Sequence, residues 1–240
     1  MAAEPGPCDD GRGAIAEGSL PRPSEPVSPN EFFEDLIPSL FAELDLGVEQ
    51  RALDLKLAVC LEGEEGGAWT VHFVGGELGI AEGRAEDAAI TLIQSVSDWR
   101  SALWEGRPGL VSDLVAQLEQ VGAAGGDAPA WAAAGPAVSN PRALEGLREL
   151  RGLIEVGLAS EGWGPDWRLG ILLGPGPIPE TPQAVIRIGA AEAEAIRRGT
   201  LHPLEALIGG QLRLEGDLGL ILQLQAIAMT ASLPPPPALG

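Results

Sequence analysis

The chain has 240 residues, 45% of them apolar, with 33 Gly, 21 Pro, six Trp, four Phe and no Tyr. That is room for one large or two small cored domains. Lys56 is the one lysine against fourteen arginines, a bias that fits a GC-rich, bacterial coding sequence. A formal net charge of −20 argues against nucleic acid and against adsorption to anionic lipid surfaces.

The charge is uneven: residues 30–121 carry 18 acids and 5 bases, residues 142–230 carry 11 and 8. The acidic half serves solubility. Cys8 and Cys60 sit in unrelated contexts, so no disulfide framework is expected. The N-terminus shows neither the basic nor the apolar region of a signal peptide. No apolar run approaches the ~20 residues of a membrane span. A cytoplasmic, reducing setting without stable membrane insertion is expected.

Residues 1–29 are rich in proline without periodicity and read as a disordered tail. Ser28-Pro29-Asn30-Glu31 has the form of a capping box with proline in the first turn. Behind it Phe33, Leu36, Ile37, Leu40, Phe41 and Leu44 recur at helical spacing. Pro38 interrupts that helix, predicting a kink or two short helices meeting near Ile37. Then Leu53, Leu55, Leu57 and Val59 alternate with Asp54, Lys56, Ala58 and Cys60, as a half-buried strand does. After a turn at 62–67, Trp69, Val71 and Phe73 alternate with Thr70, His72 and Val74. Short strands follow around Leu78 and Ile80 and around Ala88, Ile90 and Leu92, then a helix near Ser97 with Trp99, Leu103 and Trp104.

Residues 122–141 are Gly, Ala and Pro around Trp131 and read as a linker. The programme then restarts: a helical segment at Leu144 and Leu147, a strand over 150–158, a hairpin return at Trp167, Leu169 and Ile171, and a strand over 185–188. The Trp-to-Ile spacing is 21 residues in the first half (69 to 90) and 19 in the second (167 to 186). Both halves continue into a helix ending at glycine, Gly106 and Gly199. The pattern predicts an α+β fold of two tandem units, 30–121 and 142–231, with a Pro-rich tail over 232–240.

The segment Gly199-Thr200-Leu201-His202-Pro203, Ala206 through Gly210, and Gln211-Leu212-Arg213-Leu214-Glu215-Gly216-Asp217 resembles the C-terminal signature of the sterol carrier protein 2 family. Gly199, Leu201, Pro203, Ala206, Gly210, Leu212, Gly216 and Asp217 fall on matching positions. Thr200, Gln211 and Arg213 stand where the family has lysines. The first half has no such strand after Gly106, so its sheet is expected to be one strand short, with its open edge or its exposed apolar face packed against the second half. The resemblance covers 199–230 specifically, 150–198 moderately and 31–106 loosely.

It implies a small mixed sheet in each unit, covered by helices around an apolar cavity that holds a lipid or sterol. The implied function is a non-catalytic lipid-binding carrier, with an accessory or scaffold role bound to a protein partner as the alternative. The helix after Asp217 is apolar over more than one ~100° stripe, so Leu220, Ile221, Leu224 and Ile227 are expected to line the cavity, with Leu207 and Ile208 opposite. The same residues would serve an ordinary core, which is the commoner use of such a pattern.

No catalytic constellation is legible. His72 and His202 lack the partner spacing of a zinc site, and no serine sits in a G-x-S-x-G elbow. Gly174-Pro175-Gly176-Pro177 offers too few amides for a phosphate. No metal or cofactor is expected. Glu155, within the apolar strand, is expected to face solvent.

Overall fold

The computed structural model describes residues 23, 25–42, 51–105, 141–159, 167–198 and 200–231. The predicted linker (but for Pro141), both tails but for a few residues before Ser28, Gly106 and Gly199 lie outside the described residues. The fold is α+β. Ser28 caps the first helix, α1 (Pro29–Glu31), its hydroxyl accepting from the Glu31 N–H at 3.2 Å. The interruption predicted at Pro38 takes the form of a π-helical stretch, Phe32–Leu36, before α2 (Ile37–Ala42). The Ile37 N–H reaches the Phe32 carbonyl. This wider turn accommodates a proline that has no N–H and whose ring crowds the preceding turn.

The strands are β1 (Asp54–Glu62), β2 (Gly67–Val74), β3 (Glu77–Glu82) and β4 (Ile90–Ser95), then β5 (Gly152–Ala159), β6 (Trp167–Leu173), β7 (Ala184–Gly189) and β8 (Leu212–Gly216). Between and after them lie α3 (Val96–Trp104), α4 (Pro141–Glu149), α5 (Ala190–Arg197), α6 (Pro203–Ile208) and α7 (Leu218–Ala231). Where two small sheets were expected, the strands join into one eight-stranded sheet, in the order β3-β2-β1-β4-β6-β5-β7-β8.

One arrangement occurs twice in that sheet. β1 pairs antiparallel with β2 and parallel with β4; β5 pairs antiparallel with β6 and parallel with β7. Trp69 lies opposite Val59 and Trp167 opposite Leu158. The two arrangements are trimmed differently. Only the first has β3, beyond β2, and only the second has β8, beyond β7. Each therefore leaves bare the edge that the other covers, and those two edges, β4 and β6, pair with each other. Ile90 to Ile93 run antiparallel to Leu173 to Gly170.

Further bonds tie this joint. Gly174 and Gly176 donate their N–H groups to the carbonyls of Ala89 (2.8 Å) and Glu86 (2.9 Å). The Arg84 guanidinium donates to Thr91 Oγ1 at 3.2 Å and to the Gly176 carbonyl. Trp167 donates its indole N–H to the Asp98 carbonyl at 3.1 Å. Thr91 and Ala58, beside one another at the joint, have no exposed surface.

Alternation gives the sheet one apolar and one mixed face. Following the register outward from Leu57, the apolar face carries Val59, Trp69, Val71, Ile90, Leu92, Ile171, Ile154, Ile186 and Leu214. Two buried clusters sit on it. Phe33, Val96 and Trp99 pack on Leu61 and Trp69; Leu147, Leu150 and Leu220 pack on Ile154, Leu173 and Ala184. The first is strongly aromatic: Phe33 stacks on Trp69 at 4.7 Å between ring centroids, and Phe32 meets Trp99 edge-on at 5.1 Å.

Candidate functional site

Between the two clusters the apolar face carries residues that neither cluster includes. Leu57, Leu92 and Leu169, on β1, β4 and β6, belong to neither cluster and are half-buried. They straddle the β4–β6 joint, so both halves of the chain contribute to this strip. Gln94 is the one polar side chain on this face of the same three strands, and it donates Nε2–H to the Arg168 carbonyl at 3.2 Å. The strip offers a transferable apolar molecule about 25 cal/mol for each Å² of its surface removed from water, with an amide at its rim.

The six residues expected to line a cavity do not gather around one space. Leu220 is buried, and Ile221, Leu224 and Ile227 pack beside it on the Ile154–Leu173–Ala184 cluster, under α4. Leu207 and Ile208 are exposed on α6, Ile208 at 79%. Periodicity in α7 announced an apolar helix correctly, but could not say which surface it would cover. Leu57, Leu92 and Leu169 were legible as inward-facing strand residues. What sequence lacked was the identity of the partner strand, β6, that sets Leu169 beside the other two.

The signature residues have structural work. Gly216 has φ +83°, a conformation that glycine adopts without steric penalty. An added Cβ there would run into the Gln183 carbonyl oxygen. Asp217 Oδ1 accepts from the Leu220 N–H at 3.2 Å, capping the first turn of α7. His202 does the same for α6, Nδ1 accepting from the Leu204 N–H at 3.2 Å.

The remaining titratable candidates are likewise occupied. His72 Nε2 lies 3.1 Å from Asp54 in an exposed pair. Burial pushes the half-buried Cys60 thiol above its ordinary range, which disfavours the thiolate a nucleophile needs. Glu155, expected in solvent, is half-buried on the mixed face and pairs with Arg187 at 3.4 Å. A hollow of about 440 Å³ on that face is lined by Lys56, Thr70, His72 and Arg84 among others. Its cations are already engaged: Lys56 with Asp87 at 2.6 Å, a bond that draws the Asp87 carboxyl below its usual range, and Arg84 with Thr91 and Gly176.

Two buried donors, the Trp69 indole N–H and the Arg100 Nε–H, meet no acceptor among the described residues. Trp69 is 1% exposed and finds no acceptor among them, whereas Trp167 finds the Asp98 carbonyl. Among the described residues no group of three or more His, Cys, Asp or Glu is placed to hold a metal, and no helix is long and apolar enough to cross a membrane.

No family model matches the chain, and no curated protein does. Solved structures do. The sterol carrier protein domain 2 of Helicoverpa armigera is 14% identical, covering 51% of this chain and 87% of its own, with a TM-score of 0.31. The ubiquinone synthesis protein UbiJ-SCP2 is 14% identical over 86% of this chain and 87% of its own, with a TM-score of 0.20. The sec-alkylsulfatase Pisa1 from Pseudomonas sp. is 11% identical over 84% of this chain but 16% of its own, with a TM-score of 0.18. All three TM-scores are low.

Proposed function

We propose that the protein is a non-catalytic carrier of an apolar, lipid-like ligand, held against the apolar face of the sheet where the two helix-covered clusters leave it half-open. The observation that carries the reading is the strip Leu57–Leu92–Leu169 in the middle of an eight-stranded apolar face. Polar chemistry is unnecessary there, since removing an apolar guest from water is itself the driving force. The α7 residues Ile221, Leu224 and Ile227 form the wall on one side of the ligand, backed by Leu220, and Leu207 and Ile208 lie outside it. The two tandem units, 30–121 and 142–231, act as one body with a shared site in this reading, and the protein works in the cytoplasm.

The test is a titration of delipidated full chain with a fluorescent fatty acid, beside native mass spectrometry of freshly purified protein. Saturable binding is expected, weakened roughly tenfold or more (about 1.4 kcal/mol) by Leu92→Gln. No saturable binding and no retained lipid would overturn the reading. The runner-up is an accessory protein that presents or recruits a partner. Exposed apolar side chains on α6 and α7, Ile208 and Leu222 foremost, favour it. A stoichiometric protein partner from a pull-down, with no retained lipid, would establish it in place of the carrier.

A further inference from the structure

The outer edge of β8 is the one place where the sheet ends on a strand whose charges are complementary to themselves. β8 pairs with β7 alone, and among the described residues no strand covers its other side. An open edge exposes a row of unpaired N–H and C=O groups and is a template for another strand. The opposite edge, β3, carries Glu77 and Glu82 and no cation, so a second β3 beside it would bring only acids together.

β8 differs. Its sequence is Leu212-Arg213-Leu214-Glu215-Gly216. Arg213 and Glu215 are exposed and make no ion pair among the described residues. Within the sheet Arg213 stands opposite Arg187, whose side chain is committed to Glu155, and Glu215 stands opposite Val185. Like charges directly opposite in a ladder are destabilising, and opposite charges are favourable. Arg213 thus sits in a local field that lacks an acid, and two residues along is an acid that lacks a base.

We infer that β8 is a homodimer edge: two copies of the chain pair their β8 strands antiparallel about Leu214, making a continuous sixteen-stranded sheet. In that register Leu214 faces its own copy, Leu212 faces Gly216, and Arg213 faces Glu215 twice, once on each side of the two-fold axis. A shift by one residue would break the inside–outside alternation. Centring on Arg213 or Glu215 would oppose like charges, so Leu214 is the register that satisfies both constraints.

The same two-fold brings the end of α6 of one copy to the start of α7 of the other, because each flanks an end of β8. Those ends carry exposed apolar side chains: Leu207 and Ile208 on α6, Leu218 and Leu222 on α7. An isologous contact of this kind closes on itself and does not propagate. The net charge of −20 per chain opposes approach at long range, and salt near 0.15 M screens charges beyond about 8 Å.

The experiment is sedimentation velocity on the full chain at about 0.15 M salt, for the wild type, Arg213→Glu, Glu215→Arg and the double swap Arg213→Glu/Glu215→Arg. Circular dichroism confirms that each variant is folded, as expected for two exposed residues. The wild type should dimerise. Each single swap turns two attractive pairs into two repulsive ones and should weaken the dimer on the order of tenfold or more. The double swap should restore it. A wild type that stays monomeric at high micromolar concentration overturns the inference. So does a dimer indifferent to the single swaps, or one that the double swap fails to restore, since either places the contact elsewhere.

Discussion

Gly216→Ala puts a methyl group where the chain turns from β8 into α7, and two separate costs follow. Gly216 sits at φ +83°, and a residue with a Cβ loses about 1–2 kcal/mol there. The new Cβ would also overlap the Gln183 carbonyl oxygen, a backbone atom that cannot rotate away. Moving it strains the β7–β8 ladder and disturbs the bond from the Asp217 N–H to that same oxygen, 2.8 Å long, at about 0.5–1.5 kcal/mol. The sum is roughly 1.5–3.5 kcal/mol, or a fall in melting temperature of roughly 3–14 °C for a chain of this size. Gly210→Ala supplies the control, because Gly210 has φ +72° with nothing near its added Cβ. It should show the strain alone, about 1–2 kcal/mol. Circular dichroism melts of the two variants side by side measure the difference. Equal losses would refute the clash, and with it the account of why glycine precedes Asp217.

Three other outcomes follow from the packing. Leu220→Ala, in the filled cluster under α4, should cost about 2–5 kcal/mol, whereas Leu92→Ala, which removes three carbons worth ~0.8 kcal/mol each from a partly buried site, should cost about 1.5–2 kcal/mol; a loss as large as that of Leu220→Ala in chemical denaturation would make the strip ordinary core. Trp167→Phe removes the indole bond to the Asp98 carbonyl across the joint and should cost about 0.5–1.5 kcal/mol, and an unchanged urea midpoint would show that the bond contributes nothing. Burial raises the Cys60 pKa, so its contribution to stability is present below the unfolded thiol's value near 9.0 and is lost as pH rises through the higher folded value. A melt series from pH 8 upward should therefore decline more gently in Cys60→Ala than in the wild type.

Local chemistry was legible, and the partners chosen in long-range pairing were not. The Ser28 cap, both Trp-bearing hairpins and the Gly216-Asp217 turn follow from neighbours a few residues apart, where side-chain hydrogen bonds and alternation set the backbone. The irregularity at Pro38 could be placed but its form could not, because a kink and a π turn both relieve the same missing donor. That the first half would leave an edge or an apolar face for the second half to cover was legible in the strand it lacks after Gly106, and β4 is that edge. The choice of β6 as its partner was not legible. It depends on which edges remain open once every local pairing is satisfied, and no period within β4 or β6 records that. The candidate strip inherits the same difficulty. Leu57, Leu92 and Leu169 look like any inward strand residues until the joint lays them together, whereas the apolar excess of α7 was conspicuous and proved to rest largely on the core.

The joint also has a cost in time. Ile90 must wait for Leu173, its partner across β4 and β6, and at ~5–20 residues per second the intervening ~80 residues take a ribosome about 4–16 s. During that interval the nascent first half holds the apolar strand Ile90-Thr91-Leu92-Ile93 with one side unpaired, the condition in which chains associate wrongly. The surplus of acids falls in this same half, 18 against 5 bases over residues 30–121. Most of the chain's negative charge is thus already present while the edge is bare, and the mutual repulsion it gives neighbouring nascent chains on a polysome opposes their association through that edge.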